Sequence, residues 1–287
     1  ERLLNETQLN GFGPGEESRR NKWTEGDVFA ITYGDTIQSD SSRPLEDLNR
    51  FMTHHLKDVV SGIHLLPFFP FSSDDGFSVV DYLKVNPEVG NWDDIKALGE
   101  HFKLMGDLVI NHCSVKNPWF QNFLQGKEPG AHYFVEAEEG ADYSSVVRPR
   151  ATPLFTKFET EDGTKSVWCT FGPDQVDLDF SNPDVLFEMI RVLKFYVASG
   201  ISHFRMDAVG FIWKKAGTPS IHLKQTHEIV KLLRLVLENL NPDAVVITET
   251  NVPNRENLSY FGNQNEAHMI YNFSLPPLLV NALLTGD

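Results

Sequence analysis

Cysteine is scarce: Cys113 and Cys169 are the only two in 287 residues. Two are too few for a disulfide framework, and a reducing, cytoplasmic compartment is the expectation. Positive charge is also short. Twenty-five lysines and arginines face 40 acidic residues, a formal charge of −15. That balance argues against nucleic acid or an anionic membrane as partner, because both select basic patches. An anionic co-substrate would therefore need a local basic site. No apolar run reaches the length of a membrane span, and the opening Glu1–Asn5 lacks the apolar core of a signal peptide. Repeats of solenoid length are absent. The stretch Gly11-Phe-Gly-Pro-Gly15 lies between polar segments and contains a proline, so it reads as part of a flexible arm over residues 1–26 and not as a phosphate loop.

What is present is an ordinary globular balance, 41% hydrophobic and 23% charged, on a chain long enough for one large α/β domain. From Val28 onward short apolar runs alternate with segments of helical period, the pattern of βα units around a parallel sheet. The first run is Phe29–Tyr33, followed by a helix with Pro44 in its first turn and Leu45, Leu48, Met52 and Leu56 on one face. The second is Ile63–Pro67. The next helix opens at Asn91, carries Asp93 and Asp94 in its first turn and buries Ile95, Leu98 and Phe102. Gly106 is expected to stop it, with Asp107–Asn111 as the third strand. Residues 112–180 break the rhythm, being rich in aromatic, proline, glycine and acidic residues, and read as a small inserted subdomain. The alternation resumes at Ser181-Asn-Pro-Asp184, a cap-plus-proline helix start that runs to Gly200. Strands follow at Ile201–Met206, Val245–Thr248 and Met269–Phe273, with a helix through Ile229, Leu232, Leu233 and Val236. The expected fold is α/β, a TIM (β/α)8 barrel that is incomplete, with residues 27–111 and 181–287 forming the partial barrel and 112–180 inserted after strand three. A doubly wound open sheet is the rival, but no Gly-x-Gly-x-x-Gly follows a strand.

Ionisable residues collect where these strands end: Asp74 and Asp75 after the second, Asn111 and His112 after the third, Asp207 after the fourth, Glu249 after the fifth. In a parallel barrel those ends share one face, where active sites are built. Two carboxylates on neighbouring strand ends, about 5–5.5 Å apart, could attack an anomeric carbon and protonate the leaving oxygen. Arg205, two residues before Asp207, points to the same side and should keep that carboxylate ionised. Each feature has a bland reading. An Arg-x-Asp in a strand is more often a structural ion pair, Asn-His a capping arrangement, and Phe68, Phe69, Phe71 and Phe77 loop core. Their shared position at strand ends is what favours a site.

The motifs Asp107-Leu-Val-Ile-Asn-His112, Gly200-Ile-Ser-His-Phe-Arg-Met-Asp207-Ala, Gln175-Val-Asp-Leu-Asp179 and Ile247-Thr-Glu249 resemble, in order and spacing, the signatures of the α-amylase superfamily, glycoside hydrolase family 13. The likeness runs from Ile31 to Gly286. Within the family it is nearest to the sucrose phosphorylase and glucosylglycerate phosphorylase branch. The stretches behind this are Leu65-Leu-Pro-Phe-Phe-Pro70, Asp74-Asp-Gly-Phe77, Val147-Arg-Pro-Arg150, Phe171-Gly-Pro-Asp-Gln175 and Leu275-Pro-Pro-Leu-Leu279. Thr250-Asn-Val-Pro253 after the acid/base position and Glu266-Ala-His268 beyond it look more like the glucosylglycerate members than the sucrose ones, as does the N-terminal arm.

The resemblance implies Asp207 as nucleophile and Glu249 as acid/base. It implies Asp74 and His112 on glucose hydroxyls, Phe77 as a platform beneath the ring and Arg205 in support of the nucleophile. Arg148 and Arg150 become the local basic site that the net charge demands. The bland reading of the pair is a solvated turn, but arginine's planar fork suits phosphate and tilts the balance toward that role. The implied reaction is double displacement on an α-glucoside, with inorganic phosphate as co-substrate and no organic cofactor or metal. Calcium is not implied, and no dense carboxylate cage is visible. The implied partners are small molecules, with neither nucleic acid nor membrane among them and a homodimer left open. The family's third catalytic carboxylate, an Asp preceded by His after strand seven, has no counterpart before Asp287, and strands seven and eight are expected to lie outside these residues. A hydrolase or transglucosidase would use the same carboxylate pair, and loss of Arg148 and Arg150 would have favoured it. A non-catalytic sugar-binding protein would be marked by replacement of Asp207 or Glu249, and both are present.

Overall fold

The computed structural model describes residues 22–286. The glycine-rich stretch at 11–15 and most of the expected arm lie outside them. At the arm's end, Lys22 Nζ is tied to Glu238 at 3.2 Å and to the Ala244 carbonyl at 3.0 Å.

Strands β1 (Phe29–Thr32), β2 (Gly62–Leu65) and β3 (Lys103–Val109) stand side by side. Four short strands intervene in the chain before β8 (Ile201–Asp207), β9 (Val245–Thr248) and β10 (Met269–Ile270) extend the same sheet. All five neighbouring pairs are parallel. Helices make the crossovers: α1 (Pro44–His55), α2 (Trp92–Gly99), then α4 (Pro183–Ala198), α5 (Lys224–Leu240) and α6 (Asn254–Ser259), with α7 (Leu275–Thr285) after β10. This is the expected run of βα units of a (β/α)8 barrel, six strands of it.

Helix starts follow local chemistry. The Asn91 side chain accepts from the Asp93 and Asp94 amides and caps α2, while Asn182 does the same for α4 with Pro183 in its first position. One boundary is corrected. Gly106 does not stop α2, which ends at Gly99; it sits inside β3. A Cβ there would stand 3.2 Å from Ile201 Cδ1 on the neighbouring strand, so glycine gives that side chain room to pack against the strand. The last strand is also shorter than Met269–Phe273, because the Tyr271 carbonyl accepts from Asn257 Nδ2 of α6 at 2.8 Å and is lost to the ladder.

Side chains alternate across the sheet. One face, with Leu104, Leu108, Phe204, Met206 and Val246, joins the main core under the helices. The opposite face carries a small cluster of Met105, Val245 and Ile247. Asp107, Arg205 and Asp207 share its parity, so charge enters on the face turned away from the helices.

Between β3 and β8, β4 (His112–Ser114) pairs antiparallel with β7 (Gln175–Asp177), and β5 (Phe155–Thr160) forms a hairpin with β6 (Gly163–Trp168). Phe120 and Phe123 of α3 (Pro118–Leu124) pack with Phe134 and Phe158 into an aromatic group that is continuous with the main core. Cys113 and Cys169 are buried and free. No helix of the described residues is long and apolar enough to cross a membrane.

Candidate active site

A cavity of about 570 Å³ opens at the C-terminal ends of the strands, and it gathers Asp74, Phe77, His112, Arg150, Arg205, Asp207 and Glu249. Register explains why the two carboxylates meet. Met206 is paired with Thr248, so Asp207 and Glu249 come one step later on adjacent parallel strands, whose backbones run about 4.8 Å apart. The Glu249 amide donates to the Met206 carbonyl at 3.1 Å. Glu249 Oε2 in turn accepts from the Ala208 amide at 3.2 Å, just past Asp207. Ala208 has φ +49, a left-handed conformation that a non-glycine residue holds only where its surroundings insist.

Arg205 lies between two acids. Its Nη1 donates to Asp107 Oδ1 at 2.5 Å and to Asp207 Oδ1 at 2.9 Å, and its guanidinium sits 5.5 Å from the Phe77 ring and 5.6 Å from the Tyr271 ring. Burial lowers the Arg205 pKa, but the carboxylates of Asp107, Asp207 and Glu249 more than reverse that and raise it. The expectation that Arg205 keeps Asp207 ionised needs correction. Burial dominates and pushes Asp207 up to about 7; Arg205 opposes this, but Asp107 and Glu249 add to it. Because Arg205 is shared with fully buried Asp107, Asp207 receives only part of its charge. Asp107 is the residue that sequence reasoning passed over. It looked like the first residue of a strand, yet it is 1% exposed and is also held by His64 Nε2 at 3.0 Å.

His112 is 1% exposed. Its Nδ1 faces the Asn111 amide at 3.2 Å and its Nε2 donates to the Phe77 carbonyl at 3.0 Å, while burial holds its pKa below the ordinary value. Behind it, Lys214 Nζ bonds Asn111 Oδ1 at 2.8 Å and Asp177 Oδ2 at 3.0 Å, fully enclosed. A lysine in Trp213-Lys-Lys215 carries no sequence signal for burial. Asp74 is met by Gln175 Nε2 at 2.9 Å and by Arg150 Nη2 at 3.4 Å.

The two arginines part company. Arg150 lines the cavity, whereas Arg148 does not: its Nη2 donates to the Thr152 carbonyl within the same loop, which turns the side chain away. Of the four phenylalanines, Phe68 and Phe69 are core and Phe71 is exposed; only Phe77 lines the cavity. Thr250, Asn251 and Val252 line it beside Glu249. Glu266 and His268 do not; they bond His227 and Glu238 respectively and tie α5 to the sheet. Tyr33, Phe171, Phe211 and His222 also face the cavity without having been singled out. The position of Tyr33 at a strand end could have revealed it. His222, on a loop with φ +52 and bonded through Nδ1 to Tyr260 Oη at 2.7 Å, left no sequence trace.

This geometry has relatives. The family profile described as the alpha amylase catalytic domain matches residues 54–282. A glucosylglycerate phosphorylase of Allomeiothermus silvanus is 50% identical over 272 residues, 94% of this chain and 49% of that protein. A sucrose phosphorylase of Bifidobacterium adolescentis is 31% identical over 274 residues, 90% of this chain and 52% of that protein. Among solved structures, the sucrose 6F-phosphate phosphorylase from Thermoanaerobacter thermosaccharolyticum superposes with a TM-score of 0.81 at 27% identity, covering 92% of this chain and 55% of that one. The chain thus spans about half the length of the curated relatives it matches. With the parallel sheet, the strand-end carboxylates and these matches together, the chain belongs to the α-amylase catalytic-domain family.

Proposed function

We propose that this chain carries the glucosyl-transfer site of a retaining α-glucoside phosphorylase, acting on glucosylglycerate in preference to sucrose, in the cytoplasm and without an organic cofactor or metal. The observation that carries the proposal is the in-register placement of Asp207 and Glu249 at one cavity. Glu249 gives its proton to the glycosidic oxygen while Asp207 attacks the anomeric carbon, and the leaving alcohol departs. The sugar is then held as a β-glucosyl ester of Asp207. Phosphate attacks that ester as Glu249 takes up a proton, releasing α-glucose 1-phosphate with net retention and restoring both carboxyls. Asp74 and His112 hold the glucose hydroxyls, Phe77 lies beneath the ring, and Arg205 steadies Asp207. Arg150 is the cation offered to phosphate, and it gives up its ion pair with Asp74 to do so; Arg148 is withdrawn from that role by its bond to Thr152.

The preference for glucosylglycerate draws support from the relatives at about half identity, named glucosylglycerate phosphorylases, against the 31% sucrose phosphorylase. It is also supported by the position of Thr250, Asn251 and Val252 on the cavity wall next to the acid/base, where a leaving group would contact them. The full-length protein incubated with glucosylglycerate or sucrose, each with and without phosphate, tests the reading. Glucose 1-phosphate should form only with phosphate and faster from glucosylglycerate. Phosphate-independent glucose release without glucose 1-phosphate would move the protein to the hydrolases.

A further inference from the structure

The loop that presents Asp74 is an unstable shape by itself. Asp74, Asp75 and Gly76 are three consecutive residues with positive φ, at +56, +51 and +105. Gly76 tolerates this, and a Cβ there would stand 2.6 Å from Pro67. Aspartate enters this region more readily than most residues, but two in succession still carry strain, so contacts from outside the turn favour holding it. The loop's own backbone bonds, Ser72 to the Ser78 carbonyl and Ser78 to the Ser73 carbonyl, close the turn but leave its serine hydroxyls to be satisfied elsewhere.

Those hydroxyls converge on a single carboxylate in the segment inserted between β3 and β8. Ser72 Oγ and Ser73 Oγ each lie 2.5 Å from Asp174 Oδ2, and Ser78 Oγ lies 3.0 Å from the same oxygen and 2.9 Å from the Asp174 carbonyl. Ser114 joins through Ser72 at 2.5 Å. The next residue, Gln175, donates to Asp74 Oδ2 itself at 2.9 Å. Adjacent residues of one segment therefore grip the base and the tip of the Asp74 loop. Asp174 does not line the cavity, so its influence on a sugar must pass through Asp74.

We propose that Asp174 is a positioning residue: by collecting the hydroxyls of Ser72, Ser73 and Ser78 it holds the left-handed turn that aims Asp74 at the glucosyl unit. This rests on the reading of the cavity as a glucosyl site. In the full-length enzyme, Asp174→Ala should raise KM for glucosylglycerate about tenfold, the worth of a lost set of charge-assisted hydrogen bonds, with kcat changed much less. Asp174→Asn keeps an acceptor oxygen and should restore most of the affinity. In an Asp74→Ala background, Asp174→Ala should add almost nothing, because both changes remove the same contact. A merely structural role would lower the active fraction and leave KM alone.

Unchanged KM in Asp174→Ala, or a rise fully additive with Asp74→Ala, would overturn the proposal. Should Asp174→Ala fail to fold, Ser73→Ala, which removes one hydroxyl, takes its place with a smaller rise expected and the same two overturning results. The dissociation constant of D-glucose, measured by calorimetry on the same variants, reads this cycle without phosphate. Failure of the wild-type protein to phosphorolyse glucosylglycerate would therefore count against the proposed phosphorylase reaction and not against Asp174.

Discussion

Asp207 combines two demands that conflict. A nucleophile must be ionised, yet this carboxyl is buried and pushed up to about 7. On the acid side of about pH 7 the protonated form cannot attack, so kcat/KM of the full-length enzyme should fall there, as a pH–rate profile will read. The same burial has a stability consequence. The folded pKa lies above the unfolded one, so this group's contribution is complete below about pH 4 and is lost as pH rises toward 7. Moving a carboxyl from 3.8 to about 7 withholds on the order of 4 kcal/mol from the folded state above that pH. Asp207→Asn does not titrate. Its melting temperature relative to wild type should climb from about pH 4 to 7 and level off beyond, while turnover falls by on the order of 10⁴-fold. An unchanged turnover would remove Asp207 from the nucleophile's role. This residue was readable in advance from its company: an Arg-x-Asp alone is more often a structural ion pair, but several ionisable groups gathered at neighbouring strand ends favour a site. Its raised pKa was not, because that comes first from burial in the folded site and then from the Asp107 and Glu249 carboxylates brought near it by other strands.

At the level of elements, the site depends on how the inserted segment is fastened to β3. Lys214, from the loop after β8, reaches Asn111 at the end of β3 and Asp177 at the end of β7 in one enclosed contact. Asn111 in turn bonds Asp177 Oδ2 at 3.1 Å and faces His112 Nδ1. Lys214→Met removes the cation and leaves the Asp177 carboxylate buried among neutral donors, which should cost about 3–5 kcal/mol. Urea unfolding of the full-length variant will show it as a lower midpoint. Strand and helix identities along this path were legible, since periodicity, Asn caps and Pro at first positions are local signals. Gly106 was misread for the same reason. A glycine looks like a helix stop until Ile201, from a strand nearly a hundred residues later in the chain, fills the space beside it.

For the whole molecule, α7 carries a large apolar surface. Leu283 and Leu284 are 84% and 82% exposed, and Leu278, Leu279 and Val280 are more than half exposed. The outer strands β1 and β10 each have one unpaired side within the six-stranded sheet. Exposed strand edges and apolar patches of this kind associate with one another. A polypeptide of these 287 residues alone should therefore elute as higher-order species in size exclusion, and Leu283→Asp with Leu284→Asp should shift it toward the monomer. A monodisperse monomer without those changes would show that α7 finds cover within the chain.

By itself the amino-acid sequence determined the alternation of strands and helices, the interruption at 112–180, and the carboxylates at strand ends. All of these follow from side-chain period and local capping within a few residues. Tertiary structure alone decided which charges meet. Arg205 is divided between Asp107 and Asp207, Lys214 is buried, Arg148 is turned from the cavity while Arg150 stays, and Asp174 holds a turn about a hundred residues earlier in the chain. Electrostatic and hydrogen-bond partners are set by distance in space, and no periodicity along the chain encodes which distant groups will be brought to three ångströms.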